Sequence, residues 1–330
     1  MKYSIIVPVY NRPDEVDELL ESLTKQTLKD FEVIIVEDGS IKPCKDVCEK
    51  YANILDLHYY AKENSGPGQS RNYGAERSNG EWLIILDSDV VLPEGYLEAV
   101  EKSLASSTSI AAWGGPDAAH PSFTPVQKAI SYSMTSFFTT GGIRGGKAKL
   151  DKFYPRSFNM GIRRDVYLKL EGFTKMRFGE DIDFSYRIVE AGYMPRLFPE
   201  AWVWHKRRTD FRKFFRQVYN SGIARINLEK RHPGTMKLVH LLPTVFTLGV
   251  IGLLLITFIF TYACVPIILY SAIIFIDSSI KNKSLWVGLL SIPAAFVQLM
   301  GYGFGFIESW WKRCVLKQDE FTAFEKNFYK

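Results

Sequence analysis

The sequence predicts an α/β domain built on a mostly parallel sheet, followed by a segment of hydrophobic helices. Three observations carry this reading. Short β-branched and apolar runs alternate with helical patterns through the first half of the 330 residues, which is the pattern of strand, crossover and parallel strand. Polar and acidic clusters close several of those runs, at the strand ends where open α/β sheets bind ligands. Charge then disappears: residues 241–276 and 285–307 contain no Asp, Glu, Lys or Arg.

In chain order, residues 3–9, with Ser4-Ile5-Ile6-Val7 at their start, are long enough for a buried strand. Residues 13–27 place Val16, Leu19, Leu20 and Leu23 at helical spacing, with acids on the other face. Residues 31–36 are a second apolar strand, closed by Asp38-Gly39-Ser40, a turn signal. The Gly66-Pro67-Gly68 turn opens a helix over 70–77, and residues 82–86 form a strand closed by Asp87-Ser88-Asp89. Residues 93–104 read as a helix and 111–146, rich in Gly, Ser and Thr, as irregular. Residues 178–190 read as a helix after Gly179, and 201–204 as a short aromatic strand.

The uncharged run over 241–276 has 36 residues, about 54 Å as one helix against a hydrocarbon core of about 30 Å. It is expected to break near 262–266 into two helices, each short for a full crossing. The run over 285–307 suffices for one more span, which Pro293 and Gly301-Tyr302-Gly303-Phe304-Gly305 can bend. Two or three hydrophobic helices are therefore expected. Ten basic residues between Lys206 and Lys237, Arg207 and Arg208 among them, precede these runs. Beside a membrane they read as contacts with anionic lipid and as a cytoplasmic-side signal. The net charge of +5 is too modest for a nucleic-acid partner. Cys44 and Cys48 have a metal-compatible spacing but no second pair, and read as reduced thiols. Pro8 interrupts the first apolar run too early for a signal-peptide core, so the N-terminal part is expected in the cytoplasm.

Four groups can carry chemistry. Asp87 and Asp89, one residue apart at a strand end, fit a solvated turn, the commoner reading of such a pair, or a hard divalent cation completed by a substrate diphosphate. Asp38 fits an Asp-Gly turn, or an acceptor for a uracil imide or ribose hydroxyl. Glu180-Asp181-Ile182-Asp183 opens a helix, where acids cap, and where a carboxylate can take a proton from an attacking hydroxyl. Helical spacing groups Glu180 with Asp183 more than with Asp181. His205 suits a metal, a diphosphate or simple packing, and Arg71 with Asn72 suits a phosphate at a helix start. Trp82, Trp113 and Phe158 read as core residues, with sugar stacking as the alternative.

Taken in order, these motifs resemble glycosyltransferase family 2, the inverting GT-A family. The resemblance runs over about residues 3–208: Ser4-Ile5-Ile6-Val7-Pro8-Val9-Tyr10-Asn11, Gln26-Thr27, Phe31 to Ser40, Asn64-Ser65-Gly66, Ser70-Arg71-Asn72, Gly80-Glu81, Leu86-Asp87-Ser88-Asp89 and Gly179-Glu180-Asp181-Ile182-Asp183. It implies a GT-A, Rossmann-like nucleotide-diphospho-sugar transferase domain over 1–232 and a membrane anchor over 233–330. It implies a nucleotide-sugar donor, a UDP-sugar favoured, whose base and ribose are held by Pro8, Tyr10 and Asp38, with Asn11, Asn64, Arg71 and Asp87 as further substrate-binding candidates. It implies Mg2+ or Mn2+ at Asp89 with Asp87 nearby, Asp181 as base, and one in-line displacement with inversion. From the residues themselves, His205 is the further metal candidate, Glu180 the further catalytic one and Asp183 the further substrate-binding one. A glycan or polyprenyl-linked acceptor at the cytoplasmic face of the inner membrane completes the expectation. Val90 stands where many relatives have Asp, and Glu37 replaces a frequent Asp. Residues 216–221 lack the Arg-Trp ending of the processive signature, which favours single transfer. The rival readings are a polyprenyl-phosphate sugar transferase, an inactive membrane scaffold of the same fold, and a nucleotidyltransferase, which the turn over 9–13 does not suit.

Overall fold

A computed structural model describes residues 1–106, 109–140, 153–176, 178–206 and 209–321. Arg207 and Arg208 of the basic stretch and residues 141–146 of the Gly-rich region lie outside them. The described residues fall into two compact units, one within 1–120 and 153–206, the other within 121–140 and 209–321.

The strands are β1 (Tyr3–Val9), β2 (Phe31–Asp38), β3 (Leu57–Lys62), β4 (Trp82–Leu86), β5 (Val90–Val91), β6 (Ala112–Gly114), β7 (Asp117–Ala118), β8 (Asn159–Arg163), β9 (Arg196–Leu197) and β10 (Val203–His205). The helices of the first unit are α1 (Pro13–Thr24), α2 (Lys45–Tyr51), α3 (Pro67–Glu76) and α4 (Tyr96–Ala105). After α5 (Pro125–Thr135) and α6 (Phe137–Thr140), which belong to the second unit, come α7 (Arg164–Lys169) and α8 (Glu180–Glu190).

In the first unit the described residues build a seven-stranded sheet ordered β3-β2-β1-β4-β8-β6-β9. β1 pairs in parallel with β2 and with β4, and β2 with β3, while β8 runs antiparallel to β4 and β6. Mostly parallel strands need cover on both faces, which explains why β4 is apolar throughout and why β1 and β2 are largely so, their polar Ser4, Glu32, Glu37 and Asp38 being buried. Alternate residues feed two cores. Ile5, Val7, Val33, Ile35, Ile84 and Leu86 pack with Leu19, Leu20 and Leu23 of α1 and with Tyr96, Leu97 and Val100 of α4. Ile6, Ile34, Val36, Leu83 and Ile85 pack with Ala75 of α3, Tyr167 of α7, and Phe184 and Ile188 of α8. Trp82 and Trp113 are core residues, Trp113 stacked on Phe198 with ring centroids 5.0 Å apart. The buried thiols of Cys44 and Cys48 are free, 4.0 Å apart.

The order places β1 between β2 and β4, so the chain changes direction across the sheet between β1 and β4. The crevice outside such a switch point is where this architecture binds ligands. A second, three-stranded sheet, β5-β10-β7, follows directly from the end of β4.

The region over 111–146 is not irregular throughout. Within it lie β6, β7 and α5. Thr124 caps α5 in a reciprocal capping box with Gln127, and Pro125 occupies its first turn. Its Ser and Thr residues obscure a helix whose Ile130 and Met134 are buried against other helices of the second unit.

That unit continues with α9 (Phe211–Arg231), α10 (Leu242–Thr257), α11 (Val265–Asn282) and α12 (Leu285–Trp310). The break in the long uncharged run falls between α10 and α11, with a short 3-10 turn over Thr261–Cys264. Among the described residues three segments are long and apolar enough to cross a membrane: Leu238–Thr257, Thr261–Asn282 and Leu285–Val315. α12 runs through Pro293 and the glycine-rich stretch without ending. The glycines there serve close approach: a Cβ on Gly305 would lie 2.0 Å from the Tyr219 carbonyl oxygen, and one on Gly222 2.2 Å from that of Tyr302. Small residues of this kind let helix backbones meet where lipid supplies no hydrophobic drive.

Candidate active site

β1 ends in a turn that Asn11 makes possible. Asn11 has φ 55°, and its side-chain oxygen accepts from the Ile41 and Lys42 amides at 2.8 and 3.0 Å. Its own amide donates to Ser40 Oγ at 2.7 Å, and Ser40 donates to Glu37. Glu37 also accepts from the Cys44 amide at 2.7 Å. Asn11 and Glu37 thus clamp the loops after β1 and β2 together, and the Asn11 side chain already has two partners. Tyr10, beside them, is exposed, and Pro8 is half-buried.

Asp38, at the end of β2, is buried. One carboxylate oxygen accepts from the Ser65 amide and the other from the Gly66 amide, both at 2.9 Å, and Lys62 forms an ion pair with it. Asn64 donates to the Asp38 carbonyl at 2.9 Å. Gly39, at φ 71°, lies under Asn64, where a Cβ would come within 2.8 Å of the Asn64 amide nitrogen. Asp38 therefore shapes the loop entering α3.

The loop after β4 brings Asp87 and Asp89 to the switch-point crevice. Asp89 is 9% exposed and pairs with Arg12 through Nη1, and its other oxygen lies 3.2 Å from His205 Nε2. Asp87, Asp89 and His205 each offer a ligand atom within 4.8 Å of the others. Two carboxylate oxygens and an imidazole nitrogen suit Mn2+, and with substrate oxygens Mg2+. Phe158 stacks on His205 with centroids 4.9 Å apart and fixes the ring. Val90 is fully buried in the core, so this position presents no third carboxylate.

Arg71 of α3 connects this trio to α8. Its Nη2 donates to Asp87 at 2.8 Å and its Nη1 to Glu180 at 3.1 Å, with the Phe173 ring 5.2 Å from the guanidinium. Burial alone would lower its affinity for a proton, but Asp87 and Glu180 outweigh that and raise it. Asp181 accepts from Arg156 Nε at 2.5 Å and from the Ile182 amide at 2.9 Å. Burial pushes the Asp181 carboxyl up, yet the charge and hydrogen bond of Arg156 hold it below the usual range. For Glu180, burial and then the Asp181 charge dominate over Arg71, and the carboxyl rises to about 7.

Asp183 does not join Glu180, as helical spacing suggests. It is buried, accepts from Thr174 Oγ1 at 2.8 Å, and pairs with Arg187 at 3.1 Å. Arg187 also donates to the carbonyls of Leu170 and Gly172 at 2.7 and 2.5 Å, so Asp183 anchors the loop that presents Phe173. The structure brings Arg71, Asp87, Asp89, Glu180 and His205 into one linked set, with Asp181 beside Glu180, and turns Asp183 away. Arg12 and Arg156 are members that the sequence reading missed. An arginine in a loop carries no sequence signal of which carboxylate it meets.

Comparison with known proteins follows the same lines. The profile of Glycosyl transferase family 2 matches residues 4–170, just over half of the chain. A glycosyltransferase of Haemophilus influenzae is 33% identical over 193 residues, covering 57% of this chain and 62% of that protein. The poly(ribitol-phosphate) beta-N-acetylglucosaminyltransferase TarS of Staphylococcus aureus is 41% identical over 93 residues, covering 27% of this chain and 16% of its own. The chain thus spans less than two thirds of the length of either relative. A mannosyltransferase from Pyrobaculum calidifontis, solved with GDP-Man and Mn2+, shares the fold at TM-score 0.63 and 17% identity, over 90% of this chain and 87% of that one.

Proposed function

The chain belongs to glycosyl transferase family 2, and from that membership we propose that it is a metal-dependent, inverting glycosyltransferase. It moves a sugar from a nucleotide-sugar donor, a UDP-sugar favoured, to a glycan or polyprenyl-linked acceptor. The observation that carries the reading is the convergence of Asp87, Asp89 and His205 at the switch point, joined through Arg71 to the acids that open α8.

In this reading Tyr10 and Pro8 flank the nucleotide base. Asp38, Asn64 and Asn11 hold the surrounding loops and offer their remaining lone pairs to base or ribose. Asp87, Asp89 and His205 would hold Mg2+ or Mn2+, which when bound offsets charge on the departing diphosphate. Asp181, kept ionised by Arg156, takes the proton from the acceptor hydroxyl as it attacks the anomeric carbon. Glu180 positions Arg71, and through it Asp87. The apolar helices within 233–330 keep the catalytic residues of 1–232 beside a lipid-linked acceptor, on the cytoplasmic face by the bias of the flanking basic residues.

The test is nucleotide release from a panel of UDP-, GDP- and dTDP-sugars by the detergent-solubilised chain, with and without Mn2+. Metal-dependent release of one nucleotide, lost in Asp89→Ala, is the expected outcome. Folded protein that neither binds nor turns over any member of the panel would leave the inactive scaffold as the better reading.

A further inference from the structure

Both acidic members of the metal trio already carry an arginine: Asp87 holds Arg71, and Asp89 holds Arg12. The two arginines are built differently. Arg71 is buried and fixed on three sides, by Asp87, Glu180 and the Phe173 ring. The Arg12 side chain is 29% exposed, against 3% for Arg71. It also sits directly after Tyr10 and Asn11, on the turn assigned above to the donor.

A divalent cation entering at Asp87, Asp89 and His205 meets a guanidinium charge on each of its carboxylate ligands. Like charges at this range oppose its entry. A donor diphosphate brings negative charge that suits a guanidinium. We infer that Arg12 is the exchangeable partner of Asp89: it holds the carboxylate in the free protein and passes to the donor's diphosphate as the cation takes its place. Cation and nucleotide then bind as a linked pair, each improving the other by the same factor. The inference rests on the metal-dependent reading above and adds to it a role for a residue outside the trio.

The test measures Mn2+ binding to the full chain in detergent, by the electron paramagnetic resonance signal of free Mn2+, alone and with saturating UDP or GDP. No turnover enters the readout. In the wild type, nucleotide is expected to tighten Mn2+ by at least about tenfold. Arg12→Gln is expected to tighten Mn2+ alone by about tenfold and to shrink the nucleotide effect by a similar factor. Arg12→Lys, which keeps the charge, should stay near the wild type. Arg12→Ala is the second neutral variant, so a folding defect in one, monitored by thermal unfolding, does not decide the matter. Unchanged Mn2+ affinity in both neutral variants overturns the exchange. So does weaker affinity with and without nucleotide, since Arg12 would then support the ligand set. Absence of Mn2+ binding to the wild type with either nucleotide would remove the metal reading itself, which is a separate failure.

Discussion

Glu180 and Asp181 are neighbours in sequence, yet their carboxyls are shifted in opposite directions. The cause is local. Asp181 has Arg156 to itself, whereas Glu180 shares Arg71 with Asp87 and faces the Asp181 charge. With its carboxyl raised to about 7, Glu180 gains a proton as the pH falls through neutrality and loosens its hold on Arg71. Turnover measured as kcat/KM is therefore expected to fall below about pH 7, and Glu180→Gln, which keeps an oxygen for Arg71, should flatten that limb. Asp181→Asn should cost about 10²–10⁴ in rate at every pH. Full activity in Asp181→Asn together with loss in Glu180→Gln would exchange the two roles. The stability effect has its own sign. A carboxyl raised above its ordinary value binds its proton more tightly in the folded state, so it detracts from stability above about pH 7 and ceases to do so below the ordinary carboxylate range.

At the scale of elements, mainly apolar runs, helical spacing and turn residues made β1, β2, β4, α1, α3 and α8 legible from the sequence, because those strands are buried on both faces and turn signals such as Asp38-Gly39 close them. β8 and α5 were not legible. β8 contains Gly161, which is required because Trp113 lies against it: a Cβ there would come within 2.0 Å of the indole. α5 hides its buried stripe among Ser and Thr residues. The ends of the site strands could be read, but the pairing of Arg12 with Asp89 and of Arg156 with Asp181 depends on loop paths that one sequence does not encode visibly. The glycines of α12 read as bends because glycine weakens a helix on its own, and tertiary packing reverses that expectation. Gly305→Leu, which must displace the Tyr219 carbonyl, is expected to destabilise the chain by about 1–3 kcal/mol or more. Gly252→Leu in α10, with nothing within 4 Å of the new Cβ, should leave stability nearly unchanged. Thermal unfolding in one detergent compares the two, and equal losses would argue against the packing role.

At the scale of the whole molecule, composition draws a line near residue 232, where charge gives way to apolar helices, whereas packing groups α9 with the helices beyond that line. Phe214 and Val218 of α9 are buried with Ile130 and Met134 of α5 and with Val297 of α12. Ser309 of α12 donates to the Ile223 carbonyl at 3.2 Å, and Arg313 donates to Asn227 at 3.0 Å. A chain ended at residue 232 keeps α5 and α9 but loses α12, and with it the cover over these side chains. Contiguous exposed apolar surface drives association. The 1–232 fragment is therefore expected to elute as aggregate in size-exclusion chromatography without detergent, while the full chain runs as a defined species in detergent. Adding detergent should recover part of the fragment, because micelles can replace the lost helix. A fragment that instead stays monodisperse in plain buffer and binds nucleotide would mean that α9 finds enough cover within 1–232, and that α12 serves the membrane more than the fold.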